Sequence, residues 1–332
     1  MSNKQITAEI KEITLSLLEP SLEQEKIEKG LNDIHLHFQK LTEITGFDTK
    51  IEHLAAIPSS KGKALGLNHA AQCLLDYKRT VKFLNAVILA IKEKQKECPN
   101  KVIHFFYAGC GPYAPFITLI APHFSPKEIQ FTLLEINKAS LESAKKLIHS
   151  LNLTTYIQEF HLADAVTFKV PKATKFHILF SETLDALLYR ESYVPILYNL
   201  LPQFNKEVTL IPENVLINMS LSNQPETNSN YQEHNITTVL NVRESISLHK
   251  KEQPIPLQLP DKKIDLSSLD MSKYDSMILD TQVHVYNNIW LNRNESSLTL
   301  PLKMTLEQPF KNKTILFTYF IEPNIELKCK LE

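Results

Sequence analysis

Apolar positions in the first 56 residues recur at helical spacing. "ITAEIKEITLSLL" (6–18) and "LEQEKIEKGLNDIHLHFQKLTEI" (22–44) each place them along one face, and Pro20 separates the two predicted helices. "AAIPSSKGKALG" (55–66) reads as a loop from its Pro, Ser and Gly content. A long helix is expected next, from Asn68 as its cap to about Lys96. From residue 101 the texture changes. "KVIHFFYAG" (101–109), "EIQFTLLEIN" (128–137), "YIQEFHLADAVTF" (156–168) and "KFHILFSET" (175–183) read as strands. "PYAPFITLIAPHF" (112–124), "KASLESAKKLIHSLN" (138–152) and "RESYVPILYNLLPQF" (190–204) read as helices. Such alternation predicts a parallel sheet covered by helices.

"EVTLIPENVLINMSLS" (207–222) is strand-like, and "TQVHVYNNIWL", "SLTLPLKMTL" and "KTILFTYFI" predict an antiparallel β module with no helix of note. The polar span 222–236 reads as a surface loop or arm. The expected fold is therefore α/β, in three parts. A helical segment covers residues 1–66, a Rossmann-like domain 67–212, and a β-rich, barrel-like domain 213–332.

At 332 residues, with 43% hydrophobic and 22% charged residues, the chain has the composition of an ordinary globular protein of more than one domain. A net charge of −1 gives no support for a nucleic-acid or anionic-membrane partner. Cys73, Cys98, Cys110 and Cys329 form no Cys-x-x-Cys pair, so reduced structural thiols are expected and no metal site. The N-terminus lacks a signal-peptide core, and the longest apolar run, "FLNAVILAI" (83–91), is too short to span a bilayer. A cytoplasmic location is expected.

Glycine is scarce, at six residues, yet Gly109 and Gly111 lie one residue apart and none follows them. A strand running into Gly-Cys-Gly and then a helix is how open α/β sheets admit a ligand: the backbone comes close, and the helix start supplies N–H groups. The alternative is a tight corner with no ligand. Glu135, at the tip of the second strand, is placed to take the hydroxyls of a ribose, or else is a solvated strand end. Asp164 is placed to meet an adenine amino group, with Ala165 offering its N–H. No phosphate-cradling Gly-Lys-Ser/Thr motif appears, so a nucleoside without a triphosphate fits better.

This ordering resembles a class I S-adenosylmethionine-dependent methyltransferase, and residues 74–213 resemble the protein arginine methyltransferases. Three local matches carry the likeness. "LDYKRT" (75–80) is similar to the family's Asp-x-x-Arg-Thr stretch, which implies that Arg79 pairs with the methionine carboxylate of the cofactor. "SETLDALLYRES" (181–192) is similar to the family's double-glutamate loop, with Glu182 and Glu191 at the matching spacing and each flanked by Ser. "LIPEN" (210–214) resembles the segment leading into the family's β domain. The resemblance implies S-adenosyl-L-methionine as cofactor, bound by Arg79, Tyr107, Gly109, Gly111, Glu135, Asp164 and Ala165, with Glu182 and Glu191 catalytic.

A guanidinium delocalises its lone pairs and is a poor nucleophile. Two carboxylates gripping it localise positive charge on the nitrogens they touch and aim the third at the methyl group. A cationic acceptor is therefore expected: a guanidino or amino small molecule, a peptide, or protein arginine. The plain alternative is that Arg190 pairs with a neighbouring glutamate on the surface.

Departures are also legible. Tyr107 stands where the family motif has an acid, and Tyr113 where it has a third glycine, so either side chain is expected to crowd the turn. The family's upstream Tyr-Phe motif is absent from residues 55–74, as is its Thr-His-Trp loop. His284 and Trp290 have the wrong spacing for that loop, so His284 is read as a structural strand histidine. The departures place the chain on a divergent branch, with a bacterial source and a homodimer expected. Two other readings stay open: methylation of a hydroxyl or carbon in a secondary metabolite, and a non-catalytic binding protein of the same fold.

Overall fold

The structure is a computed structural model that describes residues 3–19, 22–223, 231–247, 249 and 253–332. Helices α1 (Asn3–Leu17) and α2 (Gln24–Thr42) form where the apolar spacing predicts them. Ile6, Ile10 and Leu17 bury one face of α1, and Leu31, Ile34 and Phe38 bury one face of α2. The break expected at Pro20 lies outside the described residues. A four-residue helix α3 (Ile51–Leu54) leads to the hairpin β1 (Ile57–Pro58) and β2 (Lys63–Ala64), within the segment expected to be a loop.

The long helix expected from Asn68 to Lys96 is broken. It is α4 (Leu67–Gln72), a 3-10 turn at Cys73–Leu75, and α5 (Tyr77–Glu97). Gly66, not Asn68, precedes α4, and the Asn68 amide donates to the Asp48 carbonyl at 2.7 Å. The break falls at Asp76, whose carboxylate accepts from Ser296 Oγ at 2.6 Å and from Ser297 N at 3.0 Å. A residue committed to partners so far along the chain leaves the helical path whatever its local propensity.

The central sheet follows the predicted alternation. Strands β3 (Ile103–Ala108), β4 (Ile129–Glu135), β5 (Ile157–Leu162), β6 (Ile178–Ser181) and β7 (Thr209–Ile211) lie in the order β5-β4-β3-β6-β7, every neighbouring pair parallel. Helices α7 (Lys138–Ser150) and α8 (Tyr193–Leu200) are two of its connections. β3, β4 and β6 are almost wholly buried, which is why they read as unbroken apolar runs. The helix expected over residues 112–124 shrinks to one turn, α6 (Pro115–Thr118), and a 3-10 turn at Ala121–His123. Pro112, Pro115 and Pro122 remove the N–H donors a longer helix needs.

The chain leaves the sheet after β7 and enters an antiparallel module. Its first sheet holds β8 (Asn214–Ser222), β9 (Glu233–Asn241), β11 (Ser276–Tyr286), β12 (Ile289–Leu291) and β13 (Leu302–Thr305). The second holds β10 (Lys262–Asp265), β14 (Thr314–Phe320) and β15 (Glu326–Leu331). One short helix, α9 (Val242–Ser247), interrupts the strands. The module is antiparallel, as expected, and its strands form two sheets. Of the polar span 222–236, residues 224–230 lie outside the described residues, and Glu233 onward is strand rather than loop.

Tyr113, expected to crowd the glycine turn, instead points away from it. Its ring lies 5.3 Å from Phe38 and 5.6 Å from His35 on α2, and its hydroxyl donates to the Ile44 carbonyl at 2.6 Å. The residue docks the N-terminal helices onto the sheet. Tyr113→Phe is expected to lower stability by about 1 kcal/mol, read as a shift in denaturant midpoint, because it leaves a half-buried carbonyl without its donor. An unchanged midpoint would remove this docking role.

Candidate active site at the carboxyl ends of the central strands

β3 and β6 are neighbours whose following loops run in opposite directions across the sheet, since β3 leads to β4 and β6 to β7. A crevice opens at such a point in an open α/β sheet. Here it is a cavity of about 110 Å³. Arg79, Tyr107, Gly109, Gly111 and Glu135 line it. So do Asp164, Ala165, Glu182 and Glu191, so every candidate site residue of the sequence meets in one place. His284 lies outside it, stacked 4.0 Å from Trp290 and held by Glu213 at 3.0 Å. Among the described residues no cluster of His, Cys, Asp or Glu could hold a metal ion.

The glycines are required by conformation. Gly109 has φ +77° and Gly111 φ +64°, in the region where an L side chain is strained. A Cβ on Gly109 would lie 2.5 Å from Thr183 Cγ2, whereas one on Gly111 would meet nothing within 4 Å. Gly111 lines the cavity, and open space at this turn suits close approach of a ligand. Glu135 ties the turn down: Oε2 accepts from Gly111 N at 2.8 Å and Oε1 from Asn137 N at 2.8 Å. Burial raises its pKa, and these N–H donors oppose the rise. Each oxygen has a lone pair left for a hydroxyl donor.

Arg79 and Glu182 are bonded to each other, with the two side chains only 8% and 7% exposed. Burial opposes the charge of Arg79, but the Glu182 carboxylate holds its pKa above the usual value. Burial pushes Glu182 up to about 7 against the pull of Arg79. Glu182 Oε1 has no hydrogen-bond partner among the described residues. Burial likewise holds Glu191 well above the carboxylate range, and the carboxylates of Asp185 and Glu182 add to the rise. Arg190 contacts Asp185 at 3.5 Å rather than either glutamate, and is 63% exposed. The expected alternative, in which it neutralises a glutamate on the surface, is not the arrangement found. Three acidic groups converge with one buried guanidinium among them, and a bound cation would redress the balance.

The loop between the glutamates is strained. Leu187 and Leu188 have φ of +58° and +53°. A left-handed leucine costs about 1–2 kcal/mol per residue, so the conformation persists only where its surroundings hold it.

Two features escape a reading of the sequence. The β1–β2 hairpin lines part of the cavity, with Ser59 Oγ donating to Asp164 Oδ1 at 3.0 Å and Ser60 N to Oδ2 at 2.6 Å. Val166 N is a further donor to Asp164, at 2.9 Å, so an adenine amino group would share an oxygen that is already engaged. On its other side the hairpin meets the glutamate loop, through Lys63 N to the Arg190 carbonyl at 3.1 Å and Ser192 Oγ to the Lys61 carbonyl at 2.6 Å. Gly62 allows this passage, because a Cβ there would lie 2.9 Å from the Arg190 carbonyl. Gly62 was the available signal, within a stretch that otherwise reads as plain loop. The second feature is Cys73, which lines the cavity at the helix break and whose thiol burial pushes up to about 11.

No family model and no curated protein matches the chain. Its fold does match solved structures. Protein arginine methyltransferase 10 of Arabidopsis thaliana, in an open conformation, superposes with a TM-score of 0.53 at 12% identity, over 80% of this chain and 93% of that one. The Trypanosoma brucei PRMT1 enzyme–prozyme complex with AdoHcy gives a TM-score of 0.48 at 11% identity, over 78% and 92% of the two chains. The chain has a class I methyltransferase fold of the arginine methyltransferase type, a parallel sheet followed by a separate antiparallel module.

Proposed function

We propose that the protein transfers a methyl group from S-adenosyl-L-methionine to a nitrogen of a cationic acceptor, a guanidino or amino group gripped by Glu182 and Glu191. The observation that carries this is the burial of both carboxylates in the wall of the cavity that also holds the glycine turn and Glu135. Gly109 and Gly111 let the backbone lie against the cofactor, and Glu135 takes its ribose hydroxyls. Arg79 offers its remaining N–H donors to the cofactor's carboxylate while Nη2 holds Glu182. Asp164 and Ala165 border the adenine, and Tyr107 forms the floor, its phenol kept neutral chiefly by burial. When bound, the cofactor supplies a methyl group on a sulfonium.

The chain's own part is to orient and to handle charge. Glu182 and Glu191 hold two edges of the cation, which aims the remaining nitrogen, and orientation of this kind lowers barriers by up to about 7–11 kcal/mol in model reactions. The nitrogen sheds a proton as it is methylated, and a carboxylate whose pKa lies near neutrality is suited to take it. A neutral hydroxyl or carbon acceptor would gain little from such a pair.

The test is transfer from labelled S-adenosyl-L-methionine to an arginine-containing peptide, a small guanidine and a neutral alcohol across pH. Raised carboxylate pKa values mean that the free protein holds its protons below about 7, so kcat/KM is expected to rise with pH through about 7. A bound cation favours the ionised forms and lowers those pKa values, so the limb in kcat should lie at lower pH. Transfer to the alcohol alone, or a rate that is flat from pH 5 to 9, would overturn the reading.

A further inference from the structure

We infer that Thr281 and Tyr319, hydroxyl residues of the β module, are positioning residues that hold the glutamate loop in its working shape. The inference rests on the reading of Glu182 and Glu191 as the pair that grips the acceptor. For both ends of the loop to face one cavity, the chain must turn sharply between them. It does so at Leu187 and Leu188, consecutive leucines in the left-handed region. Leucine carries a Cβ that this region penalises, and no glycine is present in the loop to relieve it. The turn is therefore not the loop's own preference.

Two hydrogen bonds from the β module hold the turn itself. Leu187 N donates to Thr281 Oγ1 at 2.8 Å, and Tyr319 Oη donates to the Leu188 carbonyl at 2.5 Å. Thr281 lies on β11 and Tyr319 on β14, so each antiparallel sheet contributes one hydroxyl. Both residues are buried, at 1% and 2% exposure, where a hydroxyl without a partner would be unfavourable. The hydroxyls thus serve two adjacent residues of the strained turn, one accepting and one donating. Inside the loop the Asp185 carbonyl accepts from Leu188 N at 3.0 Å, a bond that any tight turn can make and that does not select this one. Neither Thr281 nor Tyr319 lines the cavity, so each acts through the loop and not on the acceptor. The β module then takes part in the chemistry by setting where Glu191 stands relative to Glu182.

The test uses the full chain with Thr281→Val, Thr281→Ser and Tyr319→Phe, with three readouts: amide hydrogen exchange over residues 183–192, S-adenosylhomocysteine affinity, and kcat and KM with a cationic acceptor. Thr281→Val and Tyr319→Phe are each expected to speed exchange in the loop by about 10-fold and to lower kcat by a similar factor. Cofactor affinity should stay within about twofold, because the glycine turn and Glu135 are untouched. Thr281→Ser keeps the acceptor oxygen and should restore both the exchange rate and kcat. Unchanged loop exchange in Thr281→Val and Tyr319→Phe would overturn the inference. So would an equal loss of cofactor binding and turnover, the mark of a general packing defect. Exchange is read without turnover, so a wild type that methylates no cationic acceptor defeats the proposed function while loop exchange still decides whether Thr281 and Tyr319 hold the loop.

Discussion

Glu191→Gln is expected to lower methyl transfer to a cationic acceptor by about 10²- to 10³-fold while leaving S-adenosylhomocysteine affinity within a few-fold of wild type. The magnitude is that of removing one preorganised charge from a buried reacting centre. The substitution keeps the shape and the backbone contacts: Glu191 N still reaches Asp185 and the backbone still bridges to Lys63. What is lost is the charge that localises and aims the guanidinium. Glu182→Gln should be at least as damaging but is harder to interpret, since it also leaves the Arg79 guanidinium buried without its ion pair. Breaking such a pair costs about 3–5 kcal/mol. Turnover that survives both substitutions would mean that the acceptor is not held by these carboxylates.

The second large effect is on the cofactor. Glu135→Ala is expected to weaken S-adenosylhomocysteine binding by about 100-fold or more by calorimetry. A hydrogen bond to a charged group contributes about 1.5–3 kcal/mol, and the two ribose hydroxyls would each lose one. Glu135 also anchors Gly111 N and Asn137 N, so Ala loosens the turn as well as removing the acceptor. Glu135→Gln separates the two effects, because its remaining oxygen can keep one anchor while one ribose contact is lost; an intermediate loss is expected. Wild-type affinity in Glu135→Ala would remove the ribose from this strand end, and with it the orientation proposed for the whole cofactor.

Much of this site is legible without coordinates because its parts are local. β3, β4 and β6 read as strands from their apolar runs, and a chain so poor in glycine marks Gly109 and Gly111 by contrast. Glu135, Asp164 and Glu182 follow strand ends, and the carboxyl ends of parallel strands all open on the same side. Finding the strands was therefore enough to bring these residues together. The helix read through Asp76 failed for the opposite reason. Its helical propensity is ordinary, and the hydroxyls that turn it aside belong to Ser296 and Ser297.

Tyr113 shows the same division. Its position beside the glycines suggested an obstruction, but a side chain next to a turn can leave on either side, and the apolar face of α2 drew this one away. The hairpin carrying Ser59, the pairing of Arg79 with Glu182, and the two hydroxyls on the leucine turn are likewise contacts between distant segments. By itself the sequence determined the order of strands and helices, the glycine turn and the acidic residues around one sheet edge, because periodicity and backbone conformation are properties of neighbouring residues. Only the tertiary structure decided which way each side chain turns and what holds the glutamate loop, because a hydrogen bond between segments far apart in the chain leaves no periodic trace in either of them.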